Sequence, residues 1–178
     1  MKVLHPRVEI STALAVHYYQ LAADQNYLDG LFHLARCFAD GKGVQKSSDK
    51  AFHYCKLAAD QGHSRAQFVV AKNLLKNKIN EDQAVAYLQK ILENEDCDKI
   101  LFASAAYDLG ECFEKGVGIR QSLYNAKYYY KISSRRGHKL ACKRLGDAYS
   151  NGEFGLRVSI ETAAKYYRKA GIEPKSRT

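Results

Sequence analysis

One short stretch of the chain combines residue types that enzymes use as nucleophiles and as phosphate ligands. Ser47 and Lys50 are spaced as Ser-x-x-Lys, the motif that carries the nucleophile of serine β-lactamases. Gly41-x-Gly43, just before it, is a fragment of a phosphate-binding glycine loop. The fragment lacks a third glycine and follows a predicted helix, and the serine has no Ser-Asp-Asn or Lys-Thr-Gly partner motif. We therefore predict that Ser47 caps a helix, and a weak serine hydrolase is the remote alternative.

The histidines and cysteines lack the spacing of metal ligands. No His-Glu-x-x-His and no Cys-x-x-Cys pair occurs, so we expect the five cysteines to be reduced thiols in a reducing compartment, most of them small core residues. His63 and His138 each follow a glycine at a turn that opens a predicted helix, which favours a structural role. The acidic loop at 93–99 lacks the central glycine of a calcium-binding loop. The sequence predicts no cofactor, no metal site and no catalytic residue.

The composition favours a helical protein that is not transmembrane. Pro6 and Pro174 are the only prolines, so no helix-breaking proline interrupts the residues between them. No segment approaches the roughly 20 apolar residues of a membrane span, and the N-terminus has no secretory apolar core. We expect a soluble, cytoplasmic protein.

Two sequence patterns alternate along the chain, and each predicts one kind of helix. These helices are the elements that would position the side chains of any functional site. A first helix is indicated by an alanine with apolar or aromatic residues three and four positions later. Its five occurrences start at Ala15, Ala51, Ala84, Ala126 and Ala163. A second helix is indicated by a small residue with Leu or Val four positions later. Its four occurrences start at Gly30, Ala66, Ala105 and Ala141, which gives a period of 36 residues with one insertion of six and one deletion of three.

Glycine turns follow predicted second helices, as in Gly41-Lys42-Gly43-Val44 and Gly116-Val117-Gly118-Ile119. A glycine after a helix often takes the left-handed conformation that ends it. Together with Ala-x-x-Tyr-Tyr-x-x-Ala-Ala, Gln-Gly-His and Ala-x-x-x-Leu-Gly-x-x-Tyr-x-x-Gly, these turns resemble the Sel-1-like repeat over about residues 8–171. The resemblance implies an all-α fold: a right-handed α/α superhelical solenoid of antiparallel helix pairs, with first helices on its concave side.

The repeat signals predict a single repeat domain over residues 1–178 with about four and a half repeats. The predicted units are 8–44, 45–80, 81–119 and 120–156, then a terminal helix over 157–171 and a tail over 172–178. The third unit loses its glycine turn at 77–80 and enlarges its loop at 93–99. Because the chain begins inside a repeat, we expect it to be a fragment of a longer array.

Side chains that point away from the packed face of each first helix are the candidate partner contacts. The ninth position after the alanine is acidic in three repeats and becomes Arg135 in the fourth. The net charge changes in the same direction, since residues 1–118 carry 14 basic and 15 acidic residues and residues 119–178 carry 14 and 4. The candidate partner-binding residues are His17, Gln20, His53, Lys56, Gln89, Tyr128, Lys131, Arg135, Lys165 and Arg168.

We expect a non-enzymatic protein–protein interaction scaffold, or adaptor, that binds a partner segment on the concave first-helix face. The basic C-terminal half suits an acidic peptide or segment. Physiological salt screens charges more than about 8 Å apart, so the acidic residues of the first repeats would cancel little of the positive charge on the last ones. The alternative is binding of nucleic acid or anionic lipid by the same half, with Lys and Arg at phosphates and tyrosines stacking on bases. The identity of the partner and the oligomeric state are left open.

Overall fold

The structure is a computed structural model that describes residues 6–173, with side chains from residue 12 onward. In that range the chain forms nine α-helices, one 3-10 turn and no β-strand, and no helix is long and apolar enough to cross a membrane. The α-helices are α1 Pro6–Asp24, α2 Leu28–Asp40, α3 Ser48–Asp60, α4 Ser64–Asn77, α5 Glu81–Glu93, α6 Lys99–Lys115, α7 Leu123–Arg135, α8 Lys139–Asn151 and α9 Ile160–Ala170. The all-α prediction is confirmed, and the predicted tail beyond residue 173 lies outside the described residues.

The odd-numbered helices are the predicted first helices and the even-numbered ones the predicted second helices. The chain divides after Asn73 into two compact units. In the first unit, Leu34 and Ala58 are fully buried, and in the second unit Leu109 and Leu145 are fully buried. Alanine and glycine at the repeat positions let neighbouring helices approach closely, so a thin apolar core runs through each unit. The single repeat domain over the whole chain stays a prediction.

A stacked aromatic pair joins a first helix to the second helix before it at three places in the repeat. The tyrosine three residues after the first-helix alanine lies parallel to an aromatic ring near the end of that second helix. The pairs are Tyr54 on Phe38, with ring centroids 5.7 Å apart, Tyr129 on Phe113, at 5.5 Å, and Tyr166 on Tyr149, at 5.6 Å. These tyrosines therefore fill space between successive helices.

The glycine turns hold the next helix against the backbone of the preceding first helix. Gly43 has a φ of 70° and Gly118 a φ of 65°, a left-handed region that favours glycine. A Cβ on Gly43 would lie 2.7 Å from the carbonyl oxygen of Thr12, and one on Gly118 would lie 2.2 Å from that of Glu81. These turns therefore need glycine both for conformation and for space.

The third repeat reaches similar geometry without glycine. Lys78 and Asn80 take left-handed conformations, with φ values of 56° and 47°. The six-residue insertion lies only partly in a loop, because α6 has 17 residues where α2 and α8 have 13. The loop itself covers 94–98, and Asp98 caps α6 by accepting hydrogen bonds from the backbone of the first turn. The predicted loop at 93–99 was therefore slightly too long.

Candidate interaction surface

All ten predicted partner-binding residues lie on first helices, and none of them is buried. In the first unit each aspartate of this face contacts a side chain on its own helix, and on α3 the contact is an ion pair. The Gln20 side-chain amide donates to Asp24 at 2.8 Å on α1, and Lys56 bonds to Asp60 at 2.8 Å on α3. The exposed His17 and His53 rings lie beside the tyrosines that follow them. This part of the face is close to neutral.

The same face of α7 carries aromatic and cationic side chains. Tyr128, Lys131 and Arg135 are spaced to share one side of the helix, and Tyr124 precedes them by one turn on that side. Tyr124 is 74% exposed and Tyr128 is 54% exposed. Arg135 stands where α1 and α3 have an aspartate, so α7 lacks the pairing seen in the first unit. Gln89 is half-buried on α5 and adds no charge.

A hollow of about 530 Å³ along α9 continues the basic surface in the second unit. Its lining residues are Thr162, Lys165, Tyr166, Arg168 and Lys169. Burial raises the pKa of Tyr166, and the positive charge of Arg135 on α7 opposes that rise. Lys165 pairs with Glu161 at 2.8 Å, while Arg168 donates to the backbone carbonyl of Ala164 at 3.4 Å. Lys165 and Arg168 thus line the same hollow as Tyr166, and the charge of Arg135 acts on this tyrosine from α7. The candidate residues predicted from the sequence did not include Tyr166 or Lys169.

A charged cluster inside the second unit was not predicted. The Tyr130 hydroxyl donates to Glu114 at 2.6 Å, and Arg144 Nε donates to the same carboxylate at 3.1 Å. Arg144 also pairs with Glu153 and lies over the Phe154 ring, 4.4 Å from its centroid. Burial acts to raise the pKa of Glu114, but the hydrogen bonds from Arg144 and Tyr130 hold it below its ordinary value. These contacts tie α6, α7 and α8 together.

Ser47, which suggested nucleophilic chemistry, and two of the histidines accept backbone hydrogen bonds at the N-terminal ends of helices. Ser47 Oγ accepts the backbone N–H of Lys50 at 3.3 Å, which makes it the N-cap of α3 as predicted. His63 Nδ1 accepts the backbone N–H of Ala66 at 3.1 Å, and His138 caps α8 in the same way. The structural roles predicted for Ser47, His63 and His138 are confirmed. Within the described residues, no group of three or more His, Cys, Asp or Glu side chains could hold a metal ion.

Three of the five cysteines have the environment of core residues, whereas Cys97 lies in the loop at 94–98. Cys55, Cys112 and Cys142 are buried, and Cys37 and Cys97 are half-buried. Burial raises the pKa of Cys55 to about 11 and that of Cys112 to about 12, so both thiols stay protonated near neutral pH. Protonated thiols are poor nucleophiles and poor metal ligands.

The repeat pattern is matched by a known family model and by a curated protein. The family model named Sel1 repeat matches residues 6–27, 28–63, 73–96, 103–138 and 139–171. Chitin synthase regulatory factor 2 from Schizosaccharomyces pombe is 27% identical over 172 residues, which is 92% of this chain. The match covers 33% of that protein, so the chain spans about a third of the curated relative's length.

Solved structures share the fold. A Sel1 repeat protein from Oxalobacter formigenes matches with a TM-score of 0.78 at 22% identity, covering 89% of this chain and 64% of that one. A protective antigen with an SLR fold, present in uropathogenic Escherichia coli strains, matches with a TM-score of 0.75 at 20% identity, covering 88% and 32%. At this identity the likeness concerns the fold, and it confirms the predicted solenoid of helix pairs.

Proposed function

Because the chain belongs to the Sel1 repeat family, we propose that it is a non-enzymatic scaffold that binds a protein partner on the concave face formed by its first helices. Proteins built from these repeats mediate protein–protein interactions. In the proposed complex, an acidic segment of the partner lies on α7 and α9. The curated relative is named as a regulatory factor of chitin synthase, and a role in regulating another protein agrees with a binding function.

The loss of charge pairing at one repeat position carries the proposal. At that position Asp60 neutralises Lys56 on α3, whereas α7 presents Lys131 and Arg135 together. Cations that lack an acidic neighbour on their own helix gain more from an acidic partner, because no existing ion pair must be broken. The exposed rings of Tyr124 and Tyr128 add apolar contact area beside the charges. Tyrosines and arginines of this kind are common at the centres of protein interfaces.

Binding of nucleic acid or anionic lipid through the same helices is the second candidate. The observation that favours it is the same row of exposed tyrosines and cations, since bases stack on aromatic rings and phosphates bind Lys and Arg. Lys127 also lies over the Tyr124 ring, 5.8 Å from its centroid. A protein partner remains our first choice because protein binding is the function common to the family.

The test compares captured proteins between variants with equal charge change. The first variant carries Lys131→Glu, Arg135→Glu and Arg168→Glu on the proposed face. The matched control carries Arg65→Glu, Lys72→Glu and Lys76→Glu, three exposed cations on the second helix α4. Affinity capture from nuclease-treated lysate, followed by quantitative mass spectrometry, should show proteins that are lost with the first variant and retained with the control.

Two direct titrations separate the candidates. Fluorescence anisotropy with a labelled single-stranded oligonucleotide at two salt concentrations, and sedimentation with phosphatidylserine vesicles, test the alternative. Binding that weakens steeply with salt and disappears in the Lys131→Glu, Arg135→Glu, Arg168→Glu variant would favour nucleic acid or lipid. Equal capture of every protein by both variants would contradict the placement on α7 and α9.

A further inference from the structure

A groove of about 520 Å³ lies between α2, α3 and α4 in the first unit, and none of the ten predicted residues lines it. We call it the α2–α4 groove. Its lining is mainly apolar, with small side chains, two phenylalanine rings and two cations, and it includes no carboxylate among the described residues. The residues used below are Ala35, Arg36, Ala39, Lys46, Cys55 and Val69. A groove of this size accommodates one large side chain and its neighbours.

The second unit repeats these three helices 75 positions later, because α2, α3 and α4 correspond to α6, α7 and α8. There, Gly110 stands in the place of Ala35 and Tyr130 in the place of Cys55. A Cβ on Gly110 would lie 2.8 Å from the Tyr130 ring, and Tyr130 is only 1% exposed. The tyrosine therefore fills, in the second unit, the position that the groove occupies in the first.

The two units also differ in the polar side chains at equivalent positions of this site. Glu114 takes the place of Ala39, and in the second unit its carboxylate receives the hydrogen bond of Tyr130. Arg144, which binds that carboxylate, takes the place of Val69. Although Phe32 and Phe52 line the groove, the first unit thus lacks counterparts of the Tyr130 ring and of the Glu114 carboxylate.

The cations of the groove are specific to the first unit. Arg36 corresponds to Glu111, and Lys46 corresponds to Gln121, so the lining is more positive than its counterpart. Cys55 at the floor is neutral near neutral pH, because burial raises its pKa to about 11. An occupant that supplies an aromatic ring and a carboxylate would complement both the apolar floor and the two cations.

We propose that the α2–α4 groove binds a partner peptide that inserts an aromatic side chain over Cys55 and places a carboxylate near Arg36 and Lys46. The peptide thus supplies from another chain the aromatic ring and the carboxylate that Tyr130 and Glu114 provide within the second unit. This site is separate from α7 and α9, so it gives the scaffold a second binding point in the first unit. It does not rest on the function proposed for the basic surface.

The probe is the capped peptide acetyl-Gly-Ser-Glu-Phe-Glu-Ser-Gly-amide, titrated into the full chain. Methyl NMR reports where it binds, because Ala51 lines the groove and Ala126 is its counterpart beneath Tyr130. We expect the Ala51 and Val69 methyl signals to shift and the Ala126 signal to stay in place. A peptide with Ala in place of Phe should bind at least about tenfold more weakly, since a ring no longer fills the groove.

A variant that fills the groove gives the sharpest test. Ala35→Gly with Cys55→Tyr copies the Gly110 and Tyr130 pair of the second unit, and it should abolish peptide binding. Arg36→Glu changes only charge and should weaken binding about tenfold or more, whereas the exposed control Arg65→Glu on α4 should bind like wild type. Circular dichroism establishes that each variant is folded.

Several results would overturn the proposal. One is that the wild-type chain does not bind the peptide, and another is that the Ala51 and Ala126 methyl signals shift equally. If Ala35→Gly, Cys55→Tyr does not fold, Arg36→Glu and the Phe-to-Ala peptide still decide the question. Unchanged binding by Arg36→Glu would remove the role of charge, and unchanged binding by the Ala peptide would remove the role of the ring.

Discussion

Gly110 lacks the methyl group that Ala35 has at the same place in the repeat, and the facing side chains differ accordingly. The large ring of Tyr130 packs against Gly110, whereas the small Cys55 shares a groove with Ala35. Protein interiors are packed closely enough that one carbon atom can decide which side chain fits. Within one chain, the same backbone therefore forms a filled site in one place and an open groove in another.

Replacing Gly110 by alanine should destabilise the protein. In a helix interior alanine is favoured over glycine by about 1 kcal/mol, but here its Cβ would lie 2.8 Å from the buried Tyr130 ring. We expect a net loss of about 1–3 kcal/mol in the free energy of unfolding, measured with urea. Gly146→Ala is the comparison, since its neighbour Tyr167 is half-buried and can move outward, so the loss should be smaller. A more stable Gly110→Ala variant would contradict this account.

The Glu114 carboxylate should make stability depend on pH. Hydrogen bonds from Arg144 and Tyr130 outweigh burial and keep its folded pKa below the ordinary value of 4.5. Its stabilising contribution is therefore full above that value and is lost as the pH falls through the lower folded pKa. We expect Glu114→Gln to be less stable than wild type at neutral pH, with a difference that shrinks as the pH falls below about 4. Urea unfolding across this range measures it.

The control for this prediction is Glu95→Gln, which removes the same charge from an exposed loop position. Its stability should differ little from wild type, and the difference should not depend on pH in the same way. A constant difference between wild type and Glu114→Gln at all pH values would show that the carboxylate does not contribute through its ionisation.

At the scale of elements, glycine turns connect several pairs of successive helices, such as α6 to α7 through Gly118 and α3 to α4 through Gly62. Gly118 takes a left-handed conformation and also touches the backbone of α5 at Glu81. Gly62 is left-handed as well, but a Cβ there would meet no atom within 4 Å. A substitution at Gly62 therefore tests only the energetic cost of the left-handed conformation, whereas one at Gly118 tests that cost together with the cost of a backbone clash.

Alanine at these two glycines should have unequal effects. Both variants lose about 1–2 kcal/mol because a side chain disfavours the left-handed conformation. Gly118→Ala should lose about 1–3 kcal/mol more, because its Cβ would lie 2.2 Å from the Glu81 carbonyl oxygen and the turn must shift. Thermal unfolding followed by circular dichroism compares them. Equal melting temperatures would show that the contact with α5 is relieved without cost.

At the scale of the whole molecule, the helices and their order followed from the sequence. The spacing of small and aromatic residues predicted every first and second helix, because helix packing imposes that period wherever it recurs. The exposed positions of Arg135 and Arg168 and the half-buried position of Lys131 are consistent with the same period. What the period could not give was the length of α6, because an insertion can extend either a loop or a helix.

The sites that escaped prediction depend on side-chain size and on long-range contacts. Arg144 meets Glu114 across 30 residues, and no local pattern indicates that pair. The α2–α4 groove had a sequence signal, namely Ala35 and Cys55 aligned with Gly110 and Tyr130. A pattern that groups residues only as small or apolar hides that signal, since it treats alanine like glycine and cysteine like tyrosine.

The stacked rings that join successive helices can also serve as intrinsic spectroscopic probes of the contacts between those helices. The chain has 13 tyrosines and no tryptophan, so its near-ultraviolet circular dichroism comes mainly from tyrosine. Tyr54, Tyr129 and Tyr166 each lie within 13° of parallel to a ring of the preceding helix. Aromatic rings held in fixed surroundings contribute to the near-ultraviolet circular dichroism, and this contribution is lost when tertiary packing is lost. Replacing these tyrosines one at a time by leucine would therefore assign a spectral contribution to each helix junction and show whether the junctions open together or in turn.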